Sequence, residues 1–227
     1  MSTILEKPPG TPPRARRTNG GQRPPPRRPT GGGDGPDGVP ERRRAVVDNA
    51  VLATMFFIGA EVMLFGGLVF GFWIVRLAAP VWPPPLQPRL PVEVTGVNTL
   101  VLLASSVAVV AASRALAHGD SRRAVIRFVT AASLGALFLL VQGYEWVRLI
   151  GFGLTASSGS YGGTFYTLIG AHGLHVFGAL IWLTVMARLT ARGRFVDGPR
   201  GTLRACAMYW HFVVALWPIL YISVYVL

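Results

Sequence analysis

Cysteine is nearly absent. Cys206 is the only one in 227 residues, which excludes a disulfide within the chain and any metal site built from several thiolates. Cys206 itself sits in an apolar stretch and reads as a small buried hydrophobe. Acidic residues are scarce too: Asp+Glu number 10 against 22 Lys+Arg, a net charge of +12, and charged residues make up only 14% of the chain. With 51% hydrophobic residues and a mean hydropathy of +0.45, this is not the composition of an ordinary soluble domain. Tilted ten-residue segments of alternating polarity are missing, which excludes a transmembrane β-barrel. Once the apolar runs are set aside, no basic surface interleaved with aromatics remains. Nucleic acid is therefore not expected as a partner.

Long apolar runs dominate what is present. Five can be read between charged markers, at about 49–75, 97–113, 127–148, 164–187 and 205 to the C-terminus. Roughly 20 apolar residues cross a bilayer core of ~30 Å, so the expected fold class is an all-α polytopic membrane protein with five transmembrane helices in one bundle. The first run is longer than that and should tilt or protrude. Ahead of it, residues 1–48 are rich in Pro, Gly and Arg (Pro24-Pro25-Pro26-Arg27-Arg28-Pro29, Gly31-Gly32-Gly33, Arg42-Arg43-Arg44) and lack hydrophobic periodicity. They are expected to form a disordered basic cytoplasmic tail preceding a membrane domain over 49–227. The basic region is too long for a signal peptide and no small-residue cleavage site follows a short apolar stretch. Such a tail can touch anionic headgroups or simply fix topology.

Charge sets the expected orientation. Arginines crowd the tail, the second connection (Arg114, Arg122, Arg123, Arg127) and the fourth (Arg188, Arg192, Arg194, Arg200, Arg204), whereas the alternate connections are nearly bare of them. The positive-inside rule then predicts the N-terminus inside and the C-terminus outside, consistent with an odd number of crossings.

Several polar groups lie inside these spans, where an unpartnered one costs several kcal/mol. Glu61 is the one charged residue between Asn49 and Val75, and it falls near mid-span together with His175. At ~1.5 Å per residue, His172 lies roughly 5 Å to the outer side of His175, and His211 roughly 7 Å to the inner side of its own midpoint. His172 and His175 are three apart and share a helix face. Three chemistries fit this set: a structural network between helices, a proton-handling or partner-facing site, and a metal site of imidazoles and a carboxylate. Glu145, with Arg148 three residues on, reads as an ion pair near the outer surface, within reach of Tyr144 and Gln142. Gly67 and Gly71 form a G-x-x-x-G, and Gly170, Gly173 and Gly178 line the fourth run, as at close helix contacts. Trp73, Trp82, Trp146, Trp217, Tyr221 and Tyr225 fall near span ends, as interfacial anchors do.

Taken in order, these segments resemble cytochrome c oxidase subunit III of the heme-copper oxidase superfamily. The resemblance runs from about Met55 to the C-terminus. It rests on Phe57-Ile58-Gly59-Ala60-Glu61-Val62-Met63-Leu64-Phe65-Gly66, which is similar to the segment bearing the family's intramembrane glutamate. Trp82-Pro83-Pro84-Pro85 follows, then Val97-Asn98-Thr99-Leu100-Val101-Leu102-Leu103-Ala104-Ser105-Ser106. Gln142-Gly143-Tyr144-Glu145-Trp146 stands where the family usually shows Gln-x-x-Glu-Tyr. Tyr161-Gly162-Gly163-Thr164-Phe165-Tyr166 leads to Gly170-Ala171-His172-Gly173-Leu174-His175-Val176, and Tyr209-Trp210-His211-Phe212-Val213 closes the series.

The resemblance implies a bundle in a prokaryotic plasma membrane that binds no cofactor itself and packs on the catalytic subunit I, with subunit II and membrane lipids as further partners. Heme and copper are then expected in the partner subunits. The implied role is to support proton uptake and stability of an oxygen-reducing, proton-pumping complex, with Glu61, His172, His175 and His211 as its intramembrane polar residues. The equivalent subunits of quinol oxidase and nitric oxide reductase are related alternatives. A freestanding proton channel or transporter is the alternative of another class; it would often show inverted repeats or broken helices, and neither is visible. Two departures stand out. The first two helices of the family's seven-helix form are missing, as in its five-helix bacterial form. In addition, Val214 stands where the family commonly has Asp, which removes one candidate partner for His211.

Overall fold

The computed structural model describes residues 48–82, 84, 90–195 and 200–227. The expected disordered tail, apart from Asp48, and Pro83 and Pro85 of the proline motif lie outside the described residues. The described chain is all-helical: α1 (Asn49–Ala78), α2 (Val92–Ala117), α3 (Ser121–Gly151), α4 (Gly159–Ala191) and α5 (Gly201–Tyr221), the last continued by a wider π-type turn, Ile222–Val226. Among the described residues, five helices are long and apolar enough to cross a membrane.

Each helix runs past the apolar stretch that announces it. Polar residues at the membrane surface, such as Glu93 in α2 and Arg122 and Arg123 in α3, continue the helix rather than end it. Ends come instead from local backbone chemistry. The Asp48 carboxylate accepts from Ala50 N at 2.9 Å to cap α1, and Asp120 accepts from Arg123 N at 2.9 Å to cap α3. Gly119 and Gly153 take positive φ, 80° and 90°, just after the ends of α2 and α3, where a Cβ would be strained.

The helices pack in a ring of neighbours: α2 along α3, α3 along α4, α4 along α5, with α5 also touching α1 and α2. The centre is filled by Trp210, Trp217, Phe65, Phe138 and Phe165, all fully buried. Polar side chains tie the helices where the bilayer would otherwise leave them unpaired. Asn98 Nδ2 donates to the Phe138 carbonyl at 3.0 Å, Trp217 Nε1 to Thr99 Oγ1 at 2.8 Å and Trp210 Nε1 to Ser105 Oγ at 3.2 Å. Such bonds contribute about 0.6 kcal/mol each within a bilayer.

Helix α1 is the least enclosed. Its buried residues are Thr54, Glu61, Phe65 and Phe72, a narrow seam at heptad-like spacing. The rest of its surface is apolar and exposed, including Phe56, Met63, Phe70 and Leu77. Gly67 and Gly71 belong to that outer surface, and a Cβ on either would meet nothing within 4 Å. The close contact expected of this G-x-x-x-G is therefore not made among the described residues. Gly170 and Gly173 do serve packing, since a Cβ there would touch the Trp146 ring at 3.6 and 3.8 Å, but Gly178 faces open space.

Candidate functional site

Glu61 lies on the buried seam of α1, and the seam faces α4. Its Oε2 is 2.9 Å from His175 Nε2. The oxygen sits off the line of an ideal hydrogen bond and has no aligned partner elsewhere, so distance and charge, rather than alignment, define this contact. The other ring nitrogen settles the chemistry. His175 Nδ1 is 2.7 Å from the Ala171 carbonyl oxygen; a carbonyl can only accept, so Nδ1 carries a proton and donates it. Two bare acceptors would repel at 2.9 Å in a low-dielectric interior, so the Glu61–His175 contact must also hold a proton. It is either a carboxylic acid donating to a neutral ring or a carboxylate facing an imidazolium. Both states are neutral overall, which suits burial in a membrane far better than a lone charge.

Phe65, one turn beyond Glu61 on α1, presents its edge to both imidazoles. Its ring centroid is 5.2 Å from that of His175 and 6.4 Å from that of His172. This buried ring shields one side of the pair. His172 is held differently: 1% exposed, it stacks on Trp217 with centroids 4.9 Å apart and planes 26° apart, and meets the Phe138 ring at 6.5 Å. Neither of its nitrogens has a hydrogen-bond partner among the described protein atoms. An unpaired buried donor or acceptor costs about 1–3 kcal/mol, so aromatic packing must offset that cost.

His211 does not join them. It is half-buried on α5, and its Nδ1 lies 2.5 Å from Ser106 Oγ on α2. Val214, where the family commonly carries an acid, is buried at 2% exposure in the apolar core. The hydroxyl of Ser106, not a carboxylate, is therefore the partner of this imidazole. Among the described residues, no three His, Cys, Asp or Glu side chains gather in a metal-binding arrangement.

Glu145 and Arg148 meet near the other end of α3. Arg148 Nη1 donates to both carboxylate oxygens, at 3.0 and 3.2 Å. The carboxylate is buried while the arginine side chain is 46% exposed, a snorkelling arrangement in which the long stem carries its charge outward. Tyr144 lies beneath the guanidinium, 5.9 Å from its ring centre. Gln142 turns inward instead and donates to the Tyr225 hydroxyl at 3.0 Å.

Depth along the helices is the sequence signal that pairs Glu61 with His175. Sequence reasoning missed Ser106, Trp217 and Phe65 as the groups that hold or shield the imidazoles. A hydroxyl inside a small-residue helix and aromatics in apolar runs carry no spacing signal that singles them out.

Comparison with known proteins gives the frame for this geometry. The model of the family described as cytochrome c oxidase subunit III matches residues 40–227. Cytochrome c oxidase subunit 3 of Synechocystis sp. is 35% identical over 181 residues, covering 79% of this chain and 76% of that protein. The subunit 3 proteins of Sus scrofa and Bos taurus are 34% and 35% identical over 177 residues, each covering 75% of this chain and 67% of the relative. All five helices and every polar residue described above fall within residues 40–227, and the chain belongs to the cytochrome c oxidase subunit III family.

Proposed function

We propose that this chain is an accessory subunit of a proton-pumping terminal oxidase that reduces oxygen to water with electrons from cytochrome c. It packs against the catalytic subunit I, beside subunit II, and binds no redox cofactor; heme and copper belong to those partners. Its contribution is to stabilise the catalytic subunit and to support proton delivery to it. The observation that carries this reading is the Glu61–His175 contact at 2.9 Å in a chain of the subunit III family. A carboxyl–imidazole contact that holds one proton within the bilayer can move it between Glu61 and His175 by exchanging between two neutral states, with no lone buried charge in either.

The basic end of the bundle, with Arg114, Arg122, Arg123, Arg188 and Arg204, supports an orientation in which the N-terminus faces the cytoplasm of a prokaryotic plasma membrane. Gentle detergent purification of the chain from its native membrane, with a visible spectrum and peptide identification, tests the assignment. Co-purifying heme and a copper-containing oxidase core are expected. A heme-free preparation of the chain alone would overturn the subunit reading in favour of a freestanding proton channel.

A further inference from the structure

Helices α1 and α5 meet at their N-terminal ends. Gly201, the first residue of α5, is buried, and a Cβ built on it would overlap the Asp48 carboxylate. The carboxylate oxygens therefore rest directly on the α5 backbone. The same carboxylate accepts from Ala50 N at 2.9 Å and caps α1. One side chain thus serves two helix N-termini. Each presents unpaired N–H groups and positive potential, and neither helix has an acidic residue in its own first turn. Arg200 and Arg204 add positive charge to the start of α5, which a carboxylate placed here offsets.

From that end the two helices run side by side. Phe57 of α1 meets Tyr209 of α5 with ring centroids 5.5 Å apart, a similar number of residues beyond Asp48 and Gly201. Farther along they part. A groove of about 490 Å³ lies between Val62, Gly66 and Trp73 on α1 and Phe212, Leu216 and Ile219 on α5. Glu61 sits where the parting begins, and its contact there is with His175 of α4. Helix α1 is an unbroken rod of 30 residues without proline, buried only along Thr54, Glu61, Phe65 and Phe72. With so narrow a seam, the fastening at its base carries much of the task of setting its register. Glu61 lies about 20 Å along the rod from Asp48, and a slip of one residue would turn it by about 100°, off His175.

We propose that Asp48 is a positioning residue for the Glu61–His175 pair: its carboxylate, seated against Gly201, joins the N-termini of α1 and α5 and fixes the height and rotation at which Glu61 meets His175. The absence of a side chain at Gly201 is what admits the carboxylate. This deepens the proton-holding reading of the pair and rests on it for its functional consequence.

The test reads the His175 imidazole by nitrogen NMR of the full-length chain carrying isotope-labelled histidine, with any subunits that accompany it. The Nε2 signal is assigned by its disappearance in His175→Gln, and Glu61→Ala gives its position without the contact. Asp48→Ala should move the signal toward the Glu61→Ala position. Asp48→Asn, which keeps an acceptor for Ala50 N and nearly the same size, should restore most of the parent signal. Gly201→Ala leaves Asp48 in place but pushes its carboxylate off α5. It should move the signal the same way, add little to Asp48→Ala, and decide the question alone if Asp48→Ala does not fold. Asp120→Ala, which removes the corresponding cap of α3, should leave His175 unmoved. An unmoved signal in Asp48→Ala or Gly201→Ala, additive shifts in the double variant, or equal movement in Asp120→Ala would overturn the proposal. Because the signal reports the contact itself, this outcome is separate from whether heme and copper co-purify with the chain.

Discussion

His175 faces two oxygens at once: the Ala171 carbonyl oxygen lies 2.7 Å from Nδ1, and Glu61 Oε2 lies 2.9 Å from Nε2. Because Nδ1 must donate to the carbonyl, the Glu61 contact retains a proton of its own, and the two side chains form one neutral unit rather than two independent groups.

This unit predicts an asymmetry between conservative and disruptive changes. Glu61→Gln keeps a donor, since the amide N–H can point at a neutral Nε2, so the chain should fold and its melting point in detergent should change little. His175→Ala leaves the Glu61 carboxyl buried without a partner and should cost about 3–5 kcal/mol if it stays ionised, less if it takes up a proton. If the pair relays protons, Glu61→Gln in the intact complex should lower proton uptake or the lifetime of turnover while leaving recovery unchanged. Equal loss of folded protein for Glu61→Gln and His175→Ala would show that the pair is only a structural clasp.

Two glycines that look alike in sequence should behave oppositely. A Cβ at Gly135 on α3 would come within 2.5 Å of the Trp210 ring, which is buried and held by its bond to Ser105. Gly135→Ala should therefore destabilise the bundle by about 1–3 kcal/mol through overpacking. A Cβ at Gly67 meets nothing within 4 Å, so Gly67→Ala should be neutral or stabilise α1 by up to about 1 kcal/mol. Thermal unfolding of the two variants in the same detergent distinguishes them, and similar shifts would contradict the packing described here.

The same contrast marks how far the fold was legible in the sequence. Apolar runs announce the five helices because nothing else sustains such lengths. They understate the ends, because helices continue through surface arginines until Asp48 or Asp120 caps one and Gly119 or Gly153 releases another. Glu61 and His175 could be matched by depth, since both sit at mid-span on helices that turn out to be neighbours. Ser106 could not be matched to His211 in that way, because a serine among alanines and valines gives no periodic signal and the α2–α5 contact is a property of the assembled bundle. The motif at Gly67 and Gly71 misled for a related reason: small residues permit a close approach but do not specify which surface makes it.

Ser106 and His211 form a contact that a double-mutant cycle can isolate. Their 2.5 Å separation joins α2 to α5. Ser106→Ala should cost about 1 kcal/mol, and the cycle with His211→Ala should return a coupling of at least ~0.5 kcal/mol. Strict additivity of the two single variants in thermal melts would mean the two side chains do not depend on one another.

The orientation of the bundle is open to a direct chemical test because Cys206 is the only cysteine and is buried. In a Cys206→Ser background, a single thiol can be placed at either end without interference. Arg122 in the first turn of α3 is exposed at the basic end, and Glu93 at the start of α2 is exposed at the opposite end. The positive-inside rule predicts that the former faces the cytoplasm. A membrane-impermeant maleimide added to intact cells should therefore label Glu93→Cys and spare Arg122→Cys, and inverted membrane vesicles should give the reverse. Labelling of Arg122→Cys in intact cells would reverse the topology and place the arginine-rich end of the bundle on the outer face.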